Sequence, residues 1–270
     1  MSFTDPPARA LLFDVFGTCV DWRSTVTNGL ADACHVALNS PTSSIPSAVR
    51  LRATGLTSED WGKLAQEWRN TYKQFTKALA SDSSIPWKSV DHHHLDALGE
   101  LLTAWQLEGL WTPEEVHDLS LIWHRLNPWP DSSAGIAALC TKFQTCTLSN
   151  GNLSLLQDLK KHANLDFTHV FSAELFNSYK PSPAVYLGAA EKLGCAPAEC
   201  VMVAAHLADL KAAKACGFRT VYVERPLEED WDAHGVRDAH LQGFVDVWVS
   251  VDEDGFVAVA RKLGIDVNAG

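Results

Sequence analysis

The sequence predicts an α/β protein, a doubly wound parallel sheet with a helical insertion after its first strand. Three observations carry this reading. Residues 10–13 are a short, wholly apolar run that stops at Asp14, as a strand buried on both faces of a parallel sheet does. Residues 22–130 then show helical periodicity and no strand-like run. From residue 132 onward helical and strand-like segments alternate, the pattern of successive βαβ units. The domain division expected is an α/β core over 1–21 and 131–270, with a helical domain over 22–130.

Each element has its own warrant. Gly17-Thr18 breaks the first apolar run, and residues 22–38 read as a helix. The Ser- and Pro-rich stretch 40–47 is a loop by composition. From Ser58, the residues Trp61, Leu64, Ala65, Trp68, Tyr72, Phe75 and Leu79 recur at three- and four-residue steps, one face of an amphipathic helix. Leu95, Leu98, Leu102 and Trp105 mark a second helix. Thr112-Pro113-Glu114-Glu115 reads as a capping box with Pro at the first helical position. It opens a third helix through Val116, Leu119, Ile122, Trp123 and Leu126. His92-His93-His94 falls at a helix start, where adjacent side chains diverge, so three ligands to one metal ion are not expected. Beyond residue 131, helices are expected at 132–140, 153–162, 183–193 and 207–216. Strands are expected at 144–148, 169–172, 200–204, 220–223 and 245–249.

Composition narrows the function. The chain has 270 residues, 46% of them apolar and 20% charged, which suits a globular protein rather than a disordered one. Acids outnumber Lys and Arg by 33 to 22, so neither nucleic acid nor an anionic membrane is an expected partner. A small anionic substrate would need local cations and backbone N–H groups acting against the global charge. No apolar run reaches the ~18–20 residues that span a bilayer, and the first residues lack the basic segment of a signal peptide. Seven cysteines without a Cys-x-x-Cys spacing read as reduced thiols. A cytoplasmic location is therefore expected, and a homodimer stays open.

Ligands of open parallel sheets bind outside the carboxyl ends of the strands. Asp14 follows the first strand, Ser149-Asn150-Gly151 the second, and Ala205-His206 with Asp209 a later one. Lys180 lies in the loop after another. Singly, each has a structural explanation as a cap, a tight turn or a solvated cation. Their recurrence at the ends of one sheet points to a ligand cleft.

Four segments in order carry a resemblance: Phe13-Asp14-Val15-Phe16-Gly17-Thr18, Leu148-Ser149-Asn150-Gly151, the stretch from Tyr179 to Tyr186, and the stretch from Val201 to Asp209. Together they resemble the motifs of the haloacid dehalogenase superfamily over nearly the whole chain. Within it the chain is most similar to the L-2-haloacid dehalogenases. The resemblance implies a Rossmann-like core with an inserted α-helical cap. It also implies hydrolysis of small 2-halo carboxylic acids through a covalent ester. Asp14 would be the nucleophile and Lys180 would keep it ionised. Asp209 would orient or activate water. Thr18, Ser149, Asn150 and Tyr186 would line the substrate site, and Arg69 in the cap would cradle the departing halide.

The departures from the family also carry information. The superfamily's phosphatases have a second Asp two residues after the nucleophile, where this chain has Phe16, and an acid where it has Ala205. A hard divalent cation would lack oxygen ligands there, so no metal, no other cofactor and no phosphoryl transfer are expected. Ala204 and His206 stand where dehalogenases carry Ser and Asn, and Ala208 stands where they carry an aromatic residue. His206 as a substitute polar group, a base or a helix cap remain alternatives. The departures also keep open a relative that uses Asp14 on a non-halogenated substrate, such as a lactone or an ester.

Overall fold

The computed structural model describes residues 5–82 and 84–267. The chain forms two compact units. One is carried by the chain up to Asp21 and from Asn127 onward, the other by Trp22–Leu126. The chain rejoins the first unit at Asn127 rather than at residue 131. Asn127 and Pro128 pair antiparallel with Asp21 and Val20, which fixes both crossings together.

The strands are β1 (Ala10–Phe13), β2 (Val20–Asp21), β3 (Asn127–Pro128), β4 (Gln144–Ser149), β5 (His169–Ser172), β6 (Cys200–Ala204), β7 (Arg219–Val223) and β8 (Val247–Val249). Six of them form one parallel sheet in the order β5-β4-β1-β6-β7-β8, and β2 with β3 makes a small ribbon. The chain leaves β1 toward β4 and β5, then returns to β1's other side with β6. That reversal opens a crevice at the carboxyl ends of β1, β4 and β6. All four residues of β1 are fully buried, which explains a continuous apolar run where a half-exposed strand would alternate. The last strand begins at 247 rather than 245. Asp246 instead turns its carboxylate back on the Thr220 N–H (2.9 Å) and the Lys214 ammonium (2.6 Å).

The second unit contains α1 (Trp22–Asn39), α2 (Ser47–Thr54), α3 (Ser58–Ser81), α4 (Val90–Ala104) and α5 (Pro113–Ser120), closed by a 3-10 turn at Leu121–Arg125. Capping boxes open α3 through Thr57 and Asp60, and α5 through Thr112 and Glu115 with Pro113 in the first turn. The expected single helix through Leu126 therefore ends early, and the tighter 3-10 turn buries Ile122 and Trp123. Helix α2 was not legible, because only Ala53 of its eight residues is buried and an apolar stripe never develops. Ser89 caps α4, placing His92–His94 in its first turns as expected. His94 is buried between aromatic rings, stacked on Trp123 at 4.5 Å and on Tyr72 at 5.6 Å. Burial holds its pKa well below the ordinary value.

Helices α6 (Ser132–Cys140), α7 (Leu153–His162), α8 (Pro183–Lys192), α9 (Leu207–Ala215), α10 (Ala233–Gln242) and α11 (Gly255–Lys262) complete the first unit. The last two were not expected from sequence. Among the described residues no helix is long and apolar enough to cross a membrane. Phe13 meets Phe167 and Phe256 at 5.3 and 5.2 Å on one face of the sheet. Beneath that cluster α6 lies against α11 at Gly135, where a Cβ would stand 2.3 Å from Phe256 Cβ and 2.6 Å from its backbone carbon. Backbone cannot yield as a flexible side-chain tip does. Gly135→Ala should therefore lower unfolding free energy by about 1–3 kcal/mol through overpacking, read as a lower urea midpoint at unchanged slope.

Candidate active site

Asp14 directly follows β1, and its N–H still donates to the Val203 carbonyl (3.0 Å), which holds it in the line of the sheet. The chain then turns at Gly17, in the left-handed region at φ +81. This brings Thr18 back over the nucleophile position. The Thr18 hydroxyl accepts the Ala205 N–H (2.9 Å), so its own proton is directed to Asp14 Oδ2 (2.7 Å). The turn is clamped from behind. Gly17 O accepts the Trp129 indole N–H (2.9 Å), Thr18 O the Arg225 Nε–H (3.1 Å) and Cys19 O the Ser132 hydroxyl (2.8 Å). Arg225 is itself fixed by two bonds to the Asp131 carboxylate (2.6 and 2.8 Å).

Lys180 enters from the segment before α8. Its ammonium donates to Asp14 Oδ1 (2.9 Å) and to Asp209 Oδ2 (2.6 Å). The Tyr186 hydroxyl donates to the other Asp209 oxygen (2.5 Å). On the opposite side of Asp14, His206 Nδ1 lies 3.1 Å from Oδ2 and Nε2 lies 3.5 Å from Glu228 Oε2. Three carboxylates thus share two cations in a nearly dry site, with Asp14, Lys180 and Glu228 buried.

The expected site residues divide into groups. Asp14, Thr18, Lys180, Tyr186, His206 and Asp209 converge. Asn150 is adjacent, but both ends of its amide engage the Lys180 backbone: Nδ2 donates to the carbonyl (3.2 Å) and Oδ1 accepts the N–H (2.7 Å). Ser149 is buried at the end of β4, and its hydroxyl accepts the Gly151 N–H (3.3 Å). Arg69 belongs to the helical unit, where it is buried on α3 with its guanidinium over the rings of Trp22 (5.5 Å) and Tyr72 (4.7 Å). Sequence reasoning missed Glu228 and Arg225. Both follow β7, another strand end at the same edge of the sheet, but the charged run there reads as a solvated loop.

The charges set one another's protonation. Burial works against an ionised Asp14, but Lys180 and His206 outweigh it and hold its carboxyl far below the usual range. Burial also opposes a charged Lys180, and the two carboxylates reverse that and raise its pKa. Asp209 is raised, first by burial and then by the Asp14 charge, against the pull of Lys180. For His206, burial is outweighed by Asp14 and Glu228, and its pKa rises to about 9.

The profile of the haloacid dehalogenase-like hydrolases matches residues 8–217, which include every converging group except Glu228. The chain belongs to that family. The hydrolase is 32% identical to an L-2-haloacid dehalogenase of known structure over 95% of this chain and 100% of the other, with a TM-score of 0.75. It is 30% identical to a defluorinating L-2-haloacid dehalogenase over 95% of each chain, with a TM-score of 0.76. The (S)-2-haloacid dehalogenase 1 of Pseudomonas sp. (strain CBS-3) is 27% identical over 81% of the hydrolase and 86% of its own length.

Because the folded pKa of His206 lies above the ordinary 6.5, the group contributes stability that is fully present below that value. The contribution is lost as pH rises through about 9. His206→Gln should therefore show its largest stability deficit near pH ~6 and little deficit near pH ~10, measured by urea unfolding of both proteins across that range.

Proposed function

We propose that this hydrolase cleaves the carbon–halogen bond of small 2-halo carboxylic acids by covalent catalysis at Asp14. The observation that carries the reading is a buried carboxylate kept ionised by Lys180 and aimed by Thr18, with no proton donor two residues on. Displacing a halide needs a nucleophile and no proton, whereas expelling an alcohol from a phosphate needs an acid in the place of Phe16. Among the described residues Asp14 Oδ1 accepts only the Lys180 bond, while Oδ2 accepts from Thr18 and faces His206. Oδ1 therefore keeps the more available lone pair and is the attacking atom. It forms a bond to C2 as the carbon–halogen bond breaks, and halide leaves with the bonding electrons.

Water then attacks Cγ of the ester with Asp209 as its base. Lys180 and Tyr186 hold the Asp209 carboxylate in place. The raised pKa of Asp209 suits proton transfer better than the depressed pKa of Asp14 does. The helical unit serves as the cap, and Arg69 cradles the departing halide, with the aromatic faces of Trp22 and Tyr72 holding its guanidinium. Ser149 and the backbone around it receive the substrate carboxylate, and Asn150 contributes by seating Lys180. The reaction needs no metal, because a divalent cation would lack oxygen ligands where Phe16 and Ala205 stand, and the Lys180 ammonium already bridges Asp14 and Asp209. The seven free thiols suit a reducing compartment such as the cytoplasm.

Purified enzyme should release chloride from 2-chloropropionate, its enantiomers assayed separately, and Asp14→Asn should abolish release without unfolding the protein. A single turnover in H₂¹⁸O should put label into Asp14 rather than product, and label appearing first in product would refute the ester. Activity should survive exhaustive chelation, and p-nitrophenyl phosphate should not be hydrolysed. Arg69→Lys should lower the rate about a hundredfold with little change in stability, because Lys keeps charge but loses the planar fork.

A further inference from the structure

Glu228 and His206 have no counterpart in the reaction as described so far, yet Glu228 is buried and His206, partly buried, lies against the nucleophile. Glu228 is 3% exposed. A carboxylate so withdrawn from water is costly unless a cation faces it. Gly17 supplies the room: a Cβ there would lie 1.9 Å from Glu228 Oε2, so only glycine lets the carboxylate reach this depth. The loop after β7 thus carries Glu228 into a built seat 3.5 Å from His206 Nε2, while His206 Nδ1 points at Asp14 Oδ2.

We propose that Glu228 is a positioning residue that keeps His206 an imidazolium while Asp14 is esterified, so that His206 and Thr18 together form the oxyanion hole for ester hydrolysis. This rests on the dehalogenase reading above. Attack through Oδ1 leaves Oδ2 as the ester carbonyl oxygen, and the Thr18 hydroxyl and His206 Nδ1 already lie 2.7 and 3.1 Å from that atom. Esterification neutralises Asp14 and so removes one of the two carboxylates that hold a proton on His206 against burial. Glu228 is the one that remains. Preorganised donors aimed at a developing oxyanion in a dry site are worth more than the same donors in water.

The step balances with His206 keeping its proton throughout. Water gives a proton to Asp209 and its oxygen to Cγ, and the negative charge gathers on Oδ2 between Thr18 and His206. The Cγ–Oδ1 bond breaks, the departing alkoxide takes the proton from Asp209, and the 2-hydroxy acid leaves. Asp14 loses its own proton to solvent, so each cycle yields hydroxy acid, halide and one proton.

The charged groups that face His206 are Asp14 at the end of β1 and Glu228 on the loop after β7. Lys180 stands one hydrogen bond beyond Asp14, and Asp209 one beyond Lys180. Glu229 on the same loop accepts the Leu207 N–H (2.9 Å), and Arg225 is bound to Asp131. Glu228→Gln keeps shape and removes charge. In a single turnover with 2-chloropropionate it should leave the chloride burst unchanged. It should slow hydrolysis of the ester about 10–100-fold, so that alkylated protein accumulates in intact mass spectra. The alkaline fall of the hydrolysis rate should move to lower pH. Equal slowing of burst and hydrolysis, or no accumulation, would overturn the proposal.

A second measurement needs no turnover. Asp14→Asn imitates the neutral ester, and in that background NMR should find the His206 ring protonated at neutral pH. The ring should become neutral once Glu228→Gln is added. Should Gln disrupt folding, Glu228→Asp, which keeps the charge but withdraws it, should give a smaller shift in the same direction. An unchanged His206 titration would reject the role of Glu228. Absence of chloride release from the wild type would instead reject the dehalogenase reading, leaving the NMR result to decide the hold of Glu228 on His206.

Discussion

One ammonium group between two carboxylates, Asp14 buried and Asp209 partly so, organises this active site. Lys180 reaches Asp14 and Asp209 at once. Its charge opposes the burial that favours the neutral form of each, joined at Asp14 by His206. The consequences run in both directions along the chain. The Lys180 backbone must be seated, and Asn150 does this with both ends of its amide. The far oxygen of Asp209 must be satisfied, and Tyr186 does this from α8. The parallel sheet contributes by ending β1, β4 and β6 at one edge, where these side chains meet.

Apolar packing and polar bonds act together in this arrangement. The sheet ladder and its aromatic cluster set the position of β1, and the Asp14 N–H bond to Val203 carries that position to the first atom of Asp14. The turn after it is packed as well, through Val15, Phe16 and Cys19, and is held by polar bonds besides. Three successive carbonyls, from Gly17 to Cys19, are each bound by a different side chain from later in the sequence. A turn held at every peptide cannot drift as charge moves from the nucleophile to the leaving group. Preorganisation of this kind is where electrostatic catalysis gets its advantage over water.

The legible parts of the molecule were those whose physics is local. Residues 10–13 gave themselves away because a strand buried on both faces has no polar positions. Asp14, Lys180 and Asp209 were legible because polar residues at strand ends stand out against apolar runs. What sequence hid depends on tertiary context. The stretch Gly255–Lys262 is too short and too apolar to distinguish a helix from a strand until its contact with α6 is known. Glu228 sits in a run of acids that reads as a solvated loop, and only the missing Cβ of Gly17 draws it inward. Asn150 reads as a group facing ligand, yet its amide is turned onto the chain. Arg69 was picked by resemblance alone, since an arginine buried on an otherwise apolar helical face has no signature in periodicity.

The ring of Phe16 lies against the next strand end, so that a Cβ on Gly151 would stand 3.0 Å from it and 3.3 Å from Leu155. Phe16 is 2% exposed, which makes it structural wall as well as a missing acid. Replacing it by aspartate would open a void beside Gly151 and add a fourth carboxylate to a site where Asp14, Asp209 and Glu228 already share Lys180 and His206. The two halves of the superfamily's chemistry are therefore separated here by a packing barrier as well as a catalytic one. An evolutionary path from carbon–halogen to phosphoryl substrates would have to rebuild the wall at Gly151 before the new acid brought any gain.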